Sequence, residues 1–240
     1  MKKYELTSET KVINGVELHR IKALGSFGRV EKGELGGWIE SEKNLSQDGD
    51  AWVFDNAEVR GNARICENAR IWENARICGD ATVCGNAKVD GNATVEEYAT
   101  VCGDATVDGD AKVSGDATVC GNATVYGDAT VGWNATVEEY ATVRGDAWVG
   151  GNAKVSGNAT VDGNAWVGGN ADYIVFKNWW SSGRYFTWTR SNNKWKVGCF
   201  YGSGEELIAK AYKDSEKSGR EYERVVKYVE SILEEENNNK

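Results

Sequence analysis

From Val53 to Val167 every sixth residue is Val or Ile, twenty in succession without an insertion. An Ala stands two residues ahead of each, in a series that runs from Ala51 to Ala171. The unit reads A-x-(V/I)-x-G-(N/D), as in Ala81-Thr82-Val83-Cys84-Gly85-Asn86. Neither helical periodicity nor plain alternation yields a strict six. A three-residue strand with Ala and Val turned inward, followed by a Gly-Asn turn, does. One such unit cannot bury its own apolar side, so the units must stack. The pattern predicts a β-solenoid.

The number of units per turn is legible in two side-chain columns. Cys66, Cys84, Cys102 and Cys120 each follow the Val position, eighteen residues apart. Trp148 and Trp166 repeat that interval at the position between Ala and Val. Eighteen is three sixes, so the expected coil is a triangle with one unit per face. Twenty-one units then make seven coils, a prism about 34 Å tall at a strand spacing of about 4.8 Å.

Here the chain resembles the hexapeptide-repeat, left-handed β-helix family, whose pattern is an aliphatic residue, three loose positions, a small residue and one loose position. Val83-Cys84-Gly85-Asn86-Ala87-Lys88 matches it, as does nearly every unit to Asn170. The left hand is what the resemblance implies. A second block is similar to the N-terminus of uncharacterised phage, prophage and enterobacterial members, often labelled transferases. It comprises Gly36-Gly37-Trp38-Ile39-Glu40, Leu45-Ser46-Gln47-Asp48-Gly49-Asp50 and Trp52-Val53. The resemblance spans about the first 170 residues. It implies a phage-type setting, in which counter-defence by inhibiting or sequestering a host component is one role, and it implies little about activity.

Three parts are expected: an N-terminal hairpin and capping segment (1–47), the repeat β-helix (48–171) and a C-terminal α+β domain (172–240). In the first, Asn14-Gly15 between apolar-rich runs is a strong hairpin signal. Ile39 and Leu45 fall in phase with the Ala positions, so irregular first coils with larger side chains should plug the prism. In the last, strands are expected near Tyr173–Phe176, Arg184–Arg190 and Lys194–Phe200. A two-residue turn at Asn192-Asn193 would pair Arg190 with Trp195, Trp188 with Val197 and Phe186 with Cys199, leaving one apolar face. Capping boxes at Ser203-x-x-Glu206 and Ser218-x-x-Glu221 announce two helices, the second with an apolar stripe of Tyr222, Val225, Val226, Val229, Ile232 and Leu233.

The net negative charge is concentrated in the repeats. Residues 48–171 hold nineteen acidic and eight basic side chains, while the flanking parts are nearly balanced. An acidic shaft argues against nucleic-acid binding there and leaves open an acidic mimic of nucleic acid. The simpler reading is solubility of a long strand stack. No apolar run is long enough for a membrane span, and the MKKYELTSET start lacks a signal-peptide pattern. Six Cys in that context read as reduced thiols, hence a cytoplasmic protein. Not one Pro interrupts backbone pairing.

Catalysis is disfavoured. Acyltransferases of the resembled family use a histidine within or beside the coils, and this chain has only His19, on the hairpin. They also build their pocket from a loop excursion, which the repeats lack. No cofactor and no metal site is expected. In-register Cys point in parallel, whereas a tetrahedral metal needs converging ligands. The single outward Thr rank is that of an ordinary β-former, not of an ice-binding array.

The expected function is therefore binding of a macromolecular partner, most simply a protein, with an acyltransferase and a nucleic-acid mimic as the alternatives. Two regions break the uniformity. On the shaft, Val95-Glu96-Glu97-Tyr98 and Val137-Glu138-Glu139-Tyr140 replace the Gly-Asn turn, and Trp133 replaces another Gly. Tyr98, Tyr140 and Trp133 are docking candidates, for a partner or for self-association into a dimer or trimer. In the C-terminal domain Trp179, Trp180, Arg184, Arg190, Lys194 and Lys196 interleave aromatic and basic residues. That mixture suits a protein hot spot or a single-stranded nucleic acid.

Overall fold

The computed structural model describes residues 2–238, and in it each repeat becomes a short strand and a turn. Among the described residues twenty such strands run from Trp52–Val53 to Trp166–Val167 and form three parallel sheets, the faces of a triangular β-helix. Pairing steps by eighteen residues, as in Thr82 with Thr100 and Val83 with Val101. The solenoid completes about seven such turns. Ala and Val or Ile of every unit from Ala51 to Val167 point inward and are excluded from solvent.

The coils are tied by backbone hydrogen bonds and by the turn residues. Thr82 N–H donates to the Ala99 carbonyl (2.9 Å), Cys84 N–H to Val101 (3.0 Å) and Asn86 N–H to Gly103 (2.7 Å). Gly85 has φ +71°, and a Cβ there would lie 2.7 Å from the Gly103 nitrogen of the next coil. Left-handed backbone and close stacking together make Gly the rule at that position. The Asn or Asp that follows forms a ladder: Asn68 Nδ2 donates to Asn86 Oδ1 (3.1 Å), and Asn86 Nδ2 to Asp104 Oδ1 (2.9 Å).

At the N-terminal end, β1 (Tyr4–Ile13) and β2 (Val16–Ala23) form the expected hairpin, with Asn14 and Gly15 both at positive φ. β3 (Leu35–Ile39) is antiparallel to β2 and parallel to Glu58–Val59, so the hairpin extends one face of the prism. Ile39 and Leu45 do not take Ala positions. Ile39 pairs with Val59 and Leu45 with Ile65, steps of twenty residues. The segment between Leu45 and Val53 is two residues longer than a repeat, which shifts the phase and places both on the Val rank. Gly36 and Gly37 allow the hairpin close, since a Cβ on either would lie 2.6 Å from the carbonyl oxygens of Val53 and Ala57 respectively. Trp52 is sealed beneath Tyr4 and Phe27.

Carbonyls at this end receive side-chain donors. Lys3 Nζ donates to Ala51 O (2.9 Å), Tyr4 OH to Leu45 O (2.7 Å), and Asn44 Nδ2 to Ala63 O (2.9 Å). Burial pushes the Lys3 ammonium down to about 8 despite Asp50 and Asp48.

Beyond the shaft an antiparallel sheet of Tyr173–Lys177, Tyr185–Thr189, Lys194–Val197 and Phe200–Gly202 is covered by α1 (Gly204–Asp214) and α2 (Glu216–Asn238). The register differs from the expected one by two residues: Phe186 pairs with Val197, and Trp188 with Trp195. Four residues, Arg190 to Asn193, make the turn. Here Thr189 Oγ1 donates to Asn192 Oδ1 (2.6 Å), and Trp188 Nε1 to Asn193 Oδ1 (2.8 Å). A slip of two keeps every side chain on its face, so Phe186, Trp188, Trp195 and Val197 still meet Leu207, Val226 and Val229 in one core. The Ser203–Glu206 capping box forms. The second does not: Ser218 lies inside α2, and Ser215 does the capping. Ser215 N–H donates to Ala211 O (3.1 Å) at the end of α1, and its Oγ accepts from Ser218 N–H (3.1 Å). No helix among the described residues is long and apolar enough to cross a membrane.

Inward and outward ranks should differ sharply in tolerance. Val107→Asp places a carboxylate in a solvent-free interior and should cost several kcal/mol, while Thr106→Ser should cost under about 1 kcal/mol. Equal losses in chemical denaturation would contradict the rank assignment.

Candidate functional site

The shaft's irregular corners divide into structural and exposed parts. Glu96 pairs with Lys112 and Glu138 with Lys154, both at 2.6 Å, each one coil on. Glu97 Oε2 accepts from Gly115 N–H (2.5 Å), as Glu67 Oε2 does from Gly85 N–H (2.8 Å). These carboxylates therefore hold coils together. What remains outward is Tyr98 (64 % exposed) and Tyr140 (63 %). They lie on different corners, because the strands that precede them belong to different sheets.

Trp133 is 64 % exposed and held at φ +57°, a conformation a bulky residue adopts at a cost. Unlike Glu97, its side chain offers no acceptor to the coil above. Its ring meets Trp148 edge-on (5.4 Å between centroids), and Trp148 stacks on Trp166 (5.2 Å, 4° between planes). The two stacked rings lie over glycines: a Cβ on Gly150 would come 2.1 Å from the Trp148 ring, and one on Gly168 2.6 Å from Trp166. The repeated sequence A-W-V-G-G-N, at Ala147–Asn152 and Ala165–Asn170, is the signal for this cluster.

In the head the candidate residues separate. Trp179 is 81 % exposed, whereas Trp180 packs against Phe186 and Tyr222 in the head core. Arg190 is engaged by Glu236 (2.6 Å). Lys196 reaches the shaft and pairs with Asp162 (3.1 Å), to which Arg144 also donates (2.7 Å) while holding Tyr126 OH (2.7 Å). Burial alone would raise the Asp162 carboxyl, but Arg144, Lys196 and the Gly163 N–H hold it below the usual carboxylate range. Lys194 lies close enough to Glu206 to help lower that carboxyl, after the Ser203 N–H. The four basic residues thus do not form one patch.

The structure instead joins shaft and head candidates at their junction. A cleft of about 270 Å³ is lined by Tyr140, Asn158 and Thr160 of the shaft and by Arg184, Tyr185 and Lys196 of the head. A neighbouring cleft of about 640 Å³ shares Asn158 and Tyr185 and reaches Glu139 and Tyr173. No pattern in the sequence marks these clefts, since they depend on where the head docks.

Groups that could serve catalysis lie elsewhere. His19 pairs across the sheet with Thr10 and Ile39 at the opposite end of the molecule from these clefts. Among the described residues no group of three or more His, Cys, Asp or Glu is placed to hold a metal. Cys66, Cys84, Cys102 and Cys120 form the expected half-buried column. Burial pushes the Cys84 thiol up to about 11, and its neighbours Cys66 and Cys102 add to the effect.

Alkylation should separate these thiols. At pH 8 a thiol of pKa about 11 is roughly one part in a thousand thiolate, the reactive form. Exposed Cys199 should therefore be modified by iodoacetamide at least about tenfold faster than Cys84, with the gap closing as pH approaches 11. Equal rates at pH 8, read by peptide mass spectrometry, would contradict the column geometry.

Residues 117–132 and 153–169 match the YdcK β-solenoid repeat family. A stretch of 67 residues is 33 % identical to "Uncharacterized acetyltransferase YdcK" of Escherichia coli (strain K12), covering 25 % of this chain and 21 % of that protein. The chain thus spans about a fifth of the length of the curated relative it matches. These two stretches of the shaft carry YdcK-type β-solenoid repeats.

Proposed function

We propose that the protein is a binding scaffold rather than an acyltransferase, and that a macromolecular partner docks on the aromatic-rich region between residues 133 and 201. The supporting observation is where exposed aromatics concentrate: Trp133, Tyr140, Trp166, Trp179 and Tyr201 lie between residues 133 and 201, against Tyr98 on the remainder of the shaft and Tyr212 and Tyr228 on the helices. Apart from Tyr98, the rest of the shaft presents mainly small polar and charged side chains in repeating rows, which offer a partner many equivalent positions and little specificity. Large rings rimmed by polar groups are what interface cores are made of. Trp133 adds a second argument, because it keeps a strained backbone where Gly would relax it. Sequestering a host component would be one use of such a surface.

The name of the relative makes acetyl transfer the reading to test against. The nearest local argument for it would be a base in a cleft, and His19 sits instead on the hairpin sheet.

Trp133→Gly and Trp166→Thr restore the repeat pattern, so neither should harm the fold. Protein partners retained from host lysate by the full chain should fall at least about tenfold for the double variant, a loss of about 1.4 kcal/mol, with the melting temperature kept. Unchanged retention would overturn the assignment of the surface. Acetyl-CoA should leave the melting temperature unmoved, and a shift that grows with its concentration, as linkage requires, would favour the acyltransferase.

A further inference from the structure

The head contains a cavity separate from the aromatic surface. It lies between the sheet and the helices, has a volume of about 60 Å³, and is walled by Val197, Phe200, Leu207 and Ala211. A water-sized group occupies about 10–15 Å³ on this measure, so the space suits about four to six non-hydrogen atoms. Its rim carries Arg184, Lys210 and Asp214.

The two cations are held by packing and are not neutralised. Lys210 Nζ lies over the Phe200 ring, 5.8 Å from its centroid. The Arg184 chain passes over Gly198, where a Cβ would sit 3.4 Å from Cδ. Neither forms an ion pair among the described residues, whereas Arg190 and Lys196 of the same domain do. Two unneutralised cations beside apolar walls favour a ligand with one anionic end and a short apolar body. Asp214 leaves the rim with a single net positive charge, which suits a monoanion better than a dianion.

We propose that this cavity binds a short-chain monocarboxylate. Its hydrocarbon end rests against Val197, Leu207 and Ala211, and its carboxylate lies between Arg184 and Lys210. The site uses none of the exposed rings assigned to partner docking, although Arg184 also borders the junction cleft beside Tyr140.

Cys199 lines the same cavity and is exposed, so it can report occupancy. With the full chain, butyrate should protect Cys199 from iodoacetamide, while butyramide and inorganic phosphate at matched ionic strength should not. Arg184→Gln should raise the half-protecting butyrate concentration at least about tenfold, and Asp214→Asn should lower it, both with the melting temperature preserved. Saturation-transfer NMR on butyrate gives a second readout that needs no thiol. Equal protection by butyramide would reduce the site to an apolar hole, and equal protection by phosphate would reduce it to charge alone. Either result overturns the proposal, as does an unchanged half-protection in Arg184→Gln. No transfer to butyrate combined with no protection of Cys199 overturns it as well.

Discussion

Everything in this molecule depends on the hydrogen bond from one coil to the next. A strand of two residues has no stability of its own, and each lends its N–H and C=O groups to coils eighteen residues away. Such a ladder has two ends, each with backbone groups that lack a next coil, and buried groups of that kind must find partners. The two ends are met with opposite chemistry. At the N-terminal end Lys3, Tyr4 and Asn44 donate to carbonyls. At the far end Asn170 Oδ1 accepts from Lys154 N–H (2.8 Å), Thr187 Oγ1 from Thr160 N–H (2.8 Å) and Ser191 Oγ from Trp166 N–H (2.7 Å). Those three amides occupy the same position on the three faces of the last coil.

The capping role decides which surfaces of the head are left for binding. Its sheet turns Thr187 and Lys196 toward the shaft, where they cap Thr160 and pair with Asp162. The opposite face is filled by Phe186, Trp188, Trp195 and Val197 against the helices. Its loops, its rim and the junction remain free, and Trp179 and Arg184 lie there. The shaft is under a similar constraint, because inward ranks must be Ala and Val and turn positions must be Gly or accept strain. Variation is affordable only at the outward positions and corners, which is where Trp133, Tyr98 and Tyr140 stand.

The shaft was readable from the sequence because its period is enforced by a physical repeat: interval six gave the strand, and interval eighteen gave the coil. The misreadings are all local, where a short pattern was overridden by its neighbours. Ile39 and Leu45 appeared in phase with Ala until the two extra residues before Val53 moved them to the Val rank. The Asn192-Asn193 pair looked like a two-residue turn, but side-chain bonds from Thr189 and Trp188 favour a four-residue one. Facing survived because the slip was even. Ser218 matched a capping box, yet Ser215, three residues earlier, already closes α1 and opens α2. The clefts at the junction and the cavity under α1 were illegible because each is lined by separate elements that only the packing of the head brings together.

Hydrogen exchange on the last coil tests the end-capping account most directly. In the double variant Thr187→Val, Ser191→Ala, the amides of Thr160 and Trp166 lose their acceptors while the head core is untouched. The account predicts that these two amides lose protection first and that fraying spreads from the last coil toward the middle of the shaft, with Val83 and Val101 still protected. Retained protection at Thr160 and Trp166, or a uniform loss along all coils, would contradict it.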